Sequence, residues 1–130
     1  MFIDTSIVVA VLSDEVNGDQ LARLVANSIN PMTSAVVILE ASTVLSTKLV
    51  VDPSVAEKQV MAFLATGGVE IIDIDVATTS LAVQAFQRYG KGRGHPARLN
   101  MADCLSYACA KQHRVPLLYV GNDFAQTDLA

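Results

Sequence analysis

The sequence predicts an α/β fold in which helices surround a mostly parallel sheet. Short apolar segments of strand length alternate with longer segments of helical period along the whole chain. Hydrophobic residues make up 52% of the 130 residues and charged residues 17%, which is enough for a core and too apolar for disorder. We therefore expect a single domain over residues 1–130.

The first half of the chain predicts two strands and three helices. They are, in order, a strand at Met1–Asp4, a helix to Leu12, a helix from about Val16 to Ser28, a strand at Met32–Thr33 and a long apolar helix at Ala35–Val51. Caps for the first and third helices are available at Thr5 or Ser6 and at Ser34. The pair Asn30-Pro31 ends the second helix.

The second half continues the same alternation. Its predicted elements are a helix from Pro53 to about Ala65, a strand at Val69–Ile74, a helix to about Tyr89, a helix from Asn100 to about His113 and a strand at Pro116–Val120. Asp52-Pro53 and Asp75 begin helices, and Gly67-Gly68 ends one. The glycine-rich, basic segment Gly90–Leu99 predicts a loop.

Composition excludes several classes of protein. The net charge of −4 counts against a protein that coats nucleic acid through bulk charge, so such binding would need local positive charge. No apolar run approaches the ~18 residues of a membrane span, and the N-terminus lacks the features of a signal peptide. We expect a cytoplasmic protein that makes no use of a membrane. Cys104 and Cys109 are expected to be free core residues.

Four acidic residues stand at positions that call for an explanation. Asp4 and Asp123 follow the first and last strands, at the sheet edge where α/β proteins bind ligands. Glu40 shares a helix face with valines, and Asp103 lies in the first turn of its helix. Each also has an ordinary interpretation: Asp4 as a helix cap, Asp103 as the partner of Asn100 in a capping box, Glu40 as a solvated residue and Asp123 as a turn residue. All four ordinary roles would have to coincide.

The chain resembles the PIN-domain nucleases and, within them, the VapC-like toxins of bacterial toxin–antitoxin pairs. The resemblance covers essentially the whole sequence. It rests on FIDTSIVVAVL at the start, on Glu40 in SAVVILEAS, on LNMADCLSYACAK and on PLLYVGNDFAQTDL at the end. It implies a three-layer α/β/α sandwich with a central parallel sheet.

The resemblance also implies a set of site residues. Asp4, Glu40 and Asp103 match the family's three most regular acids. Asp123 is the candidate for the fourth, with Asp128 nearby as an alternative, because the family varies at that position. Two hydroxyl residues, Thr5 and Ser6, match those that follow the first acid and support it.

Converging carboxylates repel one another unless a cation joins them. The resemblance implies Mg²⁺, with Mn²⁺ as an alternative, since both prefer oxygen ligands. Asp4 and Asp103 would hold the principal metal, while Glu40 and Asp123 would hold waters or a second ion. The implied reaction is the hydrolysis of an RNA phosphodiester bond by a metal-activated water.

The resemblance implies three partners: an RNA substrate, a small cognate antitoxin and a second copy of the chain in a homodimer. Lys91, Arg93 and Arg98, on the loop before Asp103, are candidates to bind RNA phosphates. The main alternative is a catalytically silent PIN-like module that recognises RNA or a protein. A receiver-like domain would need a lysine after a late strand, and a dinucleotide binder would need G-x-G-x-x-G; the chain has neither. The RNA target and the number of metals stay open.

Overall fold

A computed structural model describes all residues from Met1 to Ala130. It contains four strands, β1 (Phe2–Ile3), β2 (Met32–Ser34), β3 (Glu70–Ile72) and β4 (Leu117–Leu118). Its six helices are α1 (Thr5–Leu12), α2 (Gly18–Ala26), α3 (Ala35–Leu49), α4 (Pro53–Thr66), α5 (Val76–Tyr89) and α6 (Met101–His113). A short 3-10 turn, Phe124–Gln126, follows the last strand. Every predicted strand and helix is present.

The four strands form one parallel sheet in the order β3-β2-β1-β4. Phe2 and Ile3 of the central strand β1 are fully buried. Helices flank the sheet as the sandwich prediction requires, with α5 packed on α6 and α3 packed on α4 and α1. Since all strands run in the same direction, their carboxyl ends lie along a single edge.

Three strands, β1, β3 and β4, are shorter than predicted, whereas β2 extends one residue beyond its predicted end, to Ser34. Asp4 is extended but already caps α1, and Ser34 is followed at once by α3. The pairing of Ser34 with Ile72 is the last step of the β2–β3 register, so Asp73 and Ile74 have no partner strand. Helix starts thus limit β1 and β2, and β3 ends where its neighbour β2 ends.

Two further expectations concern the chain's apolar and sulfur-containing residues. No helix is long and apolar enough to cross a membrane. Cys104 and Cys109 are both buried and free, as predicted. Burial raises the pKa of each thiol to about 11, so neither is a ready nucleophile.

Candidate active site

A cavity of about 240 Å³ opens at the carboxyl edge of the sheet. We call it the four-acid cavity. It is lined by Asp4, Thr5, Ser6, Val9, Glu40, Val44, Asp103, Val120, Asp123 and Phe124. The structure therefore brings together four acids and two hydroxyls that lie up to 119 positions apart in the chain, between Asp4 and Asp123.

Asp4 is fixed by one carboxylate oxygen and leaves the other free. It precedes α1, and its Oδ2 accepts hydrogen bonds from the Ser6 amide at 3.0 Å and the Ser6 hydroxyl at 2.7 Å. Its Oδ1 is buried and has no hydrogen-bond partner. The residue is only 4% exposed. Capping and a functional position are thus compatible, because each role uses a different oxygen.

The two hydroxyls behave differently. The Ser6 hydroxyl donates to Asp4 and accepts a hydrogen bond from the Val120 amide at 3.0 Å, which joins α1 to the segment after β4. The Thr5 Oγ1 is buried and has no partner. Ser6 alone makes the hydrogen bond expected of both residues, and Thr5 leaves a second unsatisfied oxygen at the cavity.

Asp103 belongs to a capping box at the start of α6. Its amide donates to the Asn100 side chain at 2.9 Å, and its Oδ2 accepts from the Asn100 amide at 3.1 Å. Burial, together with the charges of Asp4, Asp123 and Glu40, raises the pKa of Asp103 to about 6 against the lowering effect of the Asn100 amide. The cavity therefore holds more negative charge than its surroundings compensate.

Glu40 and Asp123 are held less firmly than the other two acids. Glu40 is half-buried on α3, one turn before Val44 of the cavity wall. Asp123 is exposed, and its carboxylate accepts no hydrogen bond from the 3-10 turn that it precedes. Val9 and Val44 were not predicted as wall residues, although each lies one helical turn after a predicted one, Thr5 and Glu40.

Asp128, the sequence alternative for the fourth acid, lies outside this cavity. Its Oδ1 accepts a hydrogen bond from the Tyr107 hydroxyl at 2.6 Å and a longer one from Tyr89 at 3.3 Å. Its Oδ2 forms an ion pair with Lys111 at 2.5 Å. These residues border a separate cavity of about 290 Å³ between α5 and α6. We call Tyr89, Tyr107 and Lys111 the tyrosine clamp.

The basic loop leaves its three predicted cations exposed. Lys91, Arg93 and Arg98 are all exposed and form no ion pair. The base of the loop is closed by hydrogen bonds from the Lys91 amide to Leu99 and from the Leu99 amide to Tyr89, each 2.9 Å long. None of the three cations lines the four-acid cavity.

The donor set of the four-acid cavity fits a hard divalent cation. No three His, Cys, Asp or Glu side chains are grouped closely enough to surround an ion by themselves. Mg²⁺ rarely requires that, because it binds through one or two carboxylates and completes its shell with water and phosphate oxygens. The unpartnered Asp4 Oδ1 and the raised pKa of Asp103 mark the two carboxylates that would gain most.

A larger cavity of about 500 Å³ does not compete with this site. It lies among α1, α3 and α4 and is lined by Leu12, Leu49, Gln59, Ala62, Phe63 and Thr66. It contains no ionisable side chain, so it offers neither metal ligands nor an acid or base for chemistry. The chemistry of the lining residues, and not the size of the cavity, identifies the candidate site.

Comparisons with known proteins identify the family of the chain. Residues 1–129 match the model of the PIN domain family. A VapC ribonuclease of Rhizobium meliloti is 36% identical over 139 residues, covering 98% of each chain. Ribonuclease VapC42 of Mycobacterium tuberculosis is 35% identical over 129 residues, covering 99% of this chain and 96% of the relative.

Two solved structures share the fold at lower identity. The crystal structure of Mycobacterium tuberculosis VapC20, described as a sarcin-ricin loop cleaving toxin, superposes with a TM-score of 0.73 at 19% identity, covering 95% of this chain and 92% of that one. A toxin–antitoxin complex from Klebsiella pneumoniae gives a TM-score of 0.70 at 21% identity, covering 98% and 92%. The resemblance expected from the sequence is confirmed: the chain belongs to the PIN-domain family and is similar over its full length to the VapC ribonucleases.

Proposed function

We propose that the chain is an endoribonuclease of the VapC type, which hydrolyses RNA phosphodiester bonds and serves as the toxin of a toxin–antitoxin pair. The observation that carries the proposal is the convergence of Asp4, Glu40, Asp103 and Asp123 on one cavity at the sheet edge. The curated relatives of full length are ribonucleases by name. The proposal takes residues 1–130 as one domain that acts in the cytoplasm.

We assign the principal metal ligands to Asp4 and Asp103 and the metal to Mg²⁺, with Mn²⁺ as a substitute. When bound, the cation would lower the pKa of a water and offset negative charge on the scissile phosphate. Asp4 would contribute its free Oδ1, while Ser6 fixes the other oxygen. Glu40 and Asp123 would accept hydrogen bonds from the attacking water and orient it. The half-buried position of Glu40 suits it to accept the water's proton.

RNA binding is assigned to the most basic part of the sequence. Six of the nine Lys and Arg residues lie between positions 88 and 114, namely Arg88, Lys91, Arg93, Arg98, Lys111 and Arg114. The loop cations among them are exposed and unpaired, so they are available to phosphates in spite of the net charge of −4.

The loop assignment is tested by replacing Lys91, Arg93 and Arg98 together with alanine. Each lost phosphate contact on single-stranded RNA should flatten the logarithmic salt dependence of binding by about 0.7, or about 2 for all three. Replacement of Lys58, an exposed residue of α4 outside the cavity, serves as the control. An unchanged slope in the triple variant would reject the loop as a phosphate contact.

Two protein partners complete the proposal, a cognate antitoxin and a second copy of the chain. A similar fold occurs in a toxin–antitoxin complex. We infer that an antitoxin Arg or Lys would enter the four-acid cavity and displace the metal. Leu39 of α3 is 65% exposed, which is consistent with burial in a homodimer. Light scattering of the purified chain, alone and with the product of the adjacent gene, tests both partners.

The central experiment follows RNA cleavage by the purified chain. Labelled RNA should be cut with Mg²⁺ and left intact with EDTA, and mapping of both new ends should place the cuts inside the strand. The Asp4→Asn variant should retain the fold, since asparagine also caps a helix well, and should cut RNA about a thousandfold more slowly than the wild type. Cleavage that persists at the wild-type rate in this variant would point to a contaminant. Absence of both cleavage and Mn²⁺ binding in the wild type would favour the silent binding module.

A further inference from the structure

Residues 123–128, near the C-terminus, lie along α6, the helix that carries Asp103. Asp103, Tyr107 and Lys111 are spaced at i, i+4 and i+8, so they share one face of α6. Asp123 shares the four-acid cavity with Asp103 at the start of this face. Asp128 contacts Tyr107 and Lys111, one and two turns further along. Residues 123–128 therefore run beside this face of α6, from the four-acid cavity to the tyrosine clamp.

The lengths of the two elements agree with this arrangement. The eight helical steps from Asp103 to Lys111 rise about 12 Å. The segment from Asp123 to Asp128 includes the three residues of the 3-10 turn, which rise about 6 Å, and two steps of about 3.3 Å each. These two lengths are about equal, so residues 123–128 can follow α6 from Asp103 to the clamp, and the anchoring of Asp128 restricts the path of the residues before it.

Asp123 itself has little that holds it. It is exposed, and its carboxylate accepts no hydrogen bond from the turn that it precedes. The segment is anchored behind it, by the buried ring of Phe124 and by the Thr127 hydroxyl, which donates to the Phe124 carbonyl at 2.7 Å. Asp128 supplies the last anchor, through two phenols and an ammonium group on two helices.

We propose that Asp128 is a positioning residue for the nuclease site: its attachment to the tyrosine clamp sets the path of residues 123–128 and thereby places the Asp123 carboxylate opposite Asp103. This inference rests on the proposed function, since it assigns Asp123 a role in the reaction. Asp128 does not line the four-acid cavity. It acts through Asp123, and the two acids that the sequence left as alternatives have different tasks.

The test begins with the Asp128→Asn variant and steady-state cleavage of a short RNA. Loss of a supporting contact around a metal site typically costs about 10–100-fold in activity. We expect kcat to fall at least about tenfold with KM within about twofold, because binding by the basic loop is untouched. Tyr107→Phe removes only the 2.6 Å hydrogen bond and should give a smaller fall in kcat of the same kind.

The Asp123→Asn background separates positioning from general destabilisation. If Asp128 acts through Asp123, the double variant Asp123→Asn/Asp128→Asn should be no slower than Asp123→Asn alone. Asp75→Asn is the matched control, because Asp75 also receives hydrogen bonds from side chains of α5 and α6, Thr78 and Gln112, but lies outside the cavity. It should leave kcat unchanged.

Hydrogen exchange on the metal-free protein gives a readout that does not depend on activity. The amides of residues 121–127 should exchange at least about tenfold faster in Asp128→Asn, with those of α1 unchanged. Wild-type kcat in Asp128→Asn, or additive losses in the double variant, would overturn the positioning role while leaving the nuclease intact. If the wild type cuts no RNA, the proposed function fails, and unchanged exchange would then reject the attachment separately.

Discussion

The four-acid cavity and the tyrosine clamp both lie against α6, but they treat carboxylates differently. The cavity leaves a carboxylate oxygen of Asp4 without a partner, whereas the clamp supplies partners for both oxygens of Asp128. Asp128 has a hydrogen bond or an ion pair for both of its oxygens. Its pKa is lowered because the contacts from Lys111, Tyr107 and Tyr89 outweigh the effect of burial. Asp103 lies on α6 two turns before Lys111, and its pKa is raised by burial and by three neighbouring acids.

This difference separates a structural acid from a ligand-binding one. A buried polar atom without a partner costs free energy, so a protein retains it only where something else is bound or where chemistry requires it. The two buried side-chain atoms without partners, the Asp4 Oδ1 and the Thr5 Oγ1, both belong to residues of the four-acid cavity. The clamp has no such atom, because Lys111 and the two tyrosines supply partners for Asp128.

The largest expected effect is that of Asp4→Asn on RNA cleavage. Removal of one anionic metal ligand should cost several kcal/mol in the transition state, and about 4 kcal/mol corresponds to about a thousandfold in rate. Asp128→Asn should cost about a hundred times less. Initial rates for both variants under the same conditions check this ratio. Equal losses would mean that the clamp acid belongs to the site.

The second effect is stabilisation of the fold by Mg²⁺. A ligand at 100 times its Kd stabilises the folded state by about 2.7 kcal/mol. Thermal or urea unfolding of the wild type with Mg²⁺ and with EDTA measures the gain. The gain should be largely lost in Asp4→Asn and retained in Asp128→Asn. Retention of the full gain in Asp4→Asn would place the cation elsewhere.

Much of the fold and of the candidate site could be predicted from the sequence, because the signals that determine them act locally. Helix caps, proline and glycine at helix ends and apolar runs act over a few residues, so the order of elements was correct throughout. The edge rule for parallel sheets located Asp4 and Asp123 without any contact being known. The ordinary interpretations of Asp4 as a cap and of Asp103 as the capping-box partner of Asn100 were also correct, since one oxygen of each carboxylate makes that bond. The prediction that Thr5 or Ser6 caps the first helix was wrong, because Asp4 caps it.

The remainder depended on contacts between distant parts of the chain. Nothing near Asp128 in the sequence indicates that Tyr89 and Tyr107 would meet it, so the choice between Asp123 and Asp128 stayed open. Likewise, the Val120 amide bonds to Ser6 across 114 positions. The sequence also overestimated three of the four strand lengths, because where a strand ends depends partly on where its neighbour stops.

The third effect concerns pH and uses metal-free protein in EDTA. The pKa of Asp103 in the folded chain is about 6, above its ordinary 3.8, so ionisation of this group opposes folding. The protonated Asp103 carboxyl stabilises the folded chain; this contribution is complete below about pH 4 and is lost as pH rises through about 6. The full shift corresponds to about 3 kcal/mol, which solvent screening of a partly exposed group reduces to about 1–2 kcal/mol.

The Asp103→Asn variant isolates this contribution. Its free energy of unfolding, relative to the wild type, should increase by about 1–2 kcal/mol between pH 4 and pH 7.5. Asp128→Asn should show the opposite sign, because the pKa of Asp128 is lowered in the folded chain. Urea titrations at several pH values check both. A difference for Asp103→Asn that stays constant with pH would remove the evidence for excess negative charge in the cavity.

The smallest effect compares two buried threonines and tests the unsatisfied hydroxyl directly. Thr33 is fully buried and donates a hydrogen bond to the Ile3 carbonyl at 2.8 Å, whereas the Thr5 hydroxyl has no partner. Valine has the same shape as threonine without the hydroxyl. Thr33→Val should therefore destabilise the metal-free protein by about 1–2 kcal/mol, since it leaves the Ile3 carbonyl oxygen without that donor. Thr5→Val should be neutral or stabilise it by up to about 1 kcal/mol. Urea unfolding of both variants measures the difference. Equal destabilisation would show that the Thr5 hydroxyl has a partner within the fold. The contrast between the cavity, with its unpartnered oxygens, and the clamp would then rest on the Asp4 Oδ1 alone.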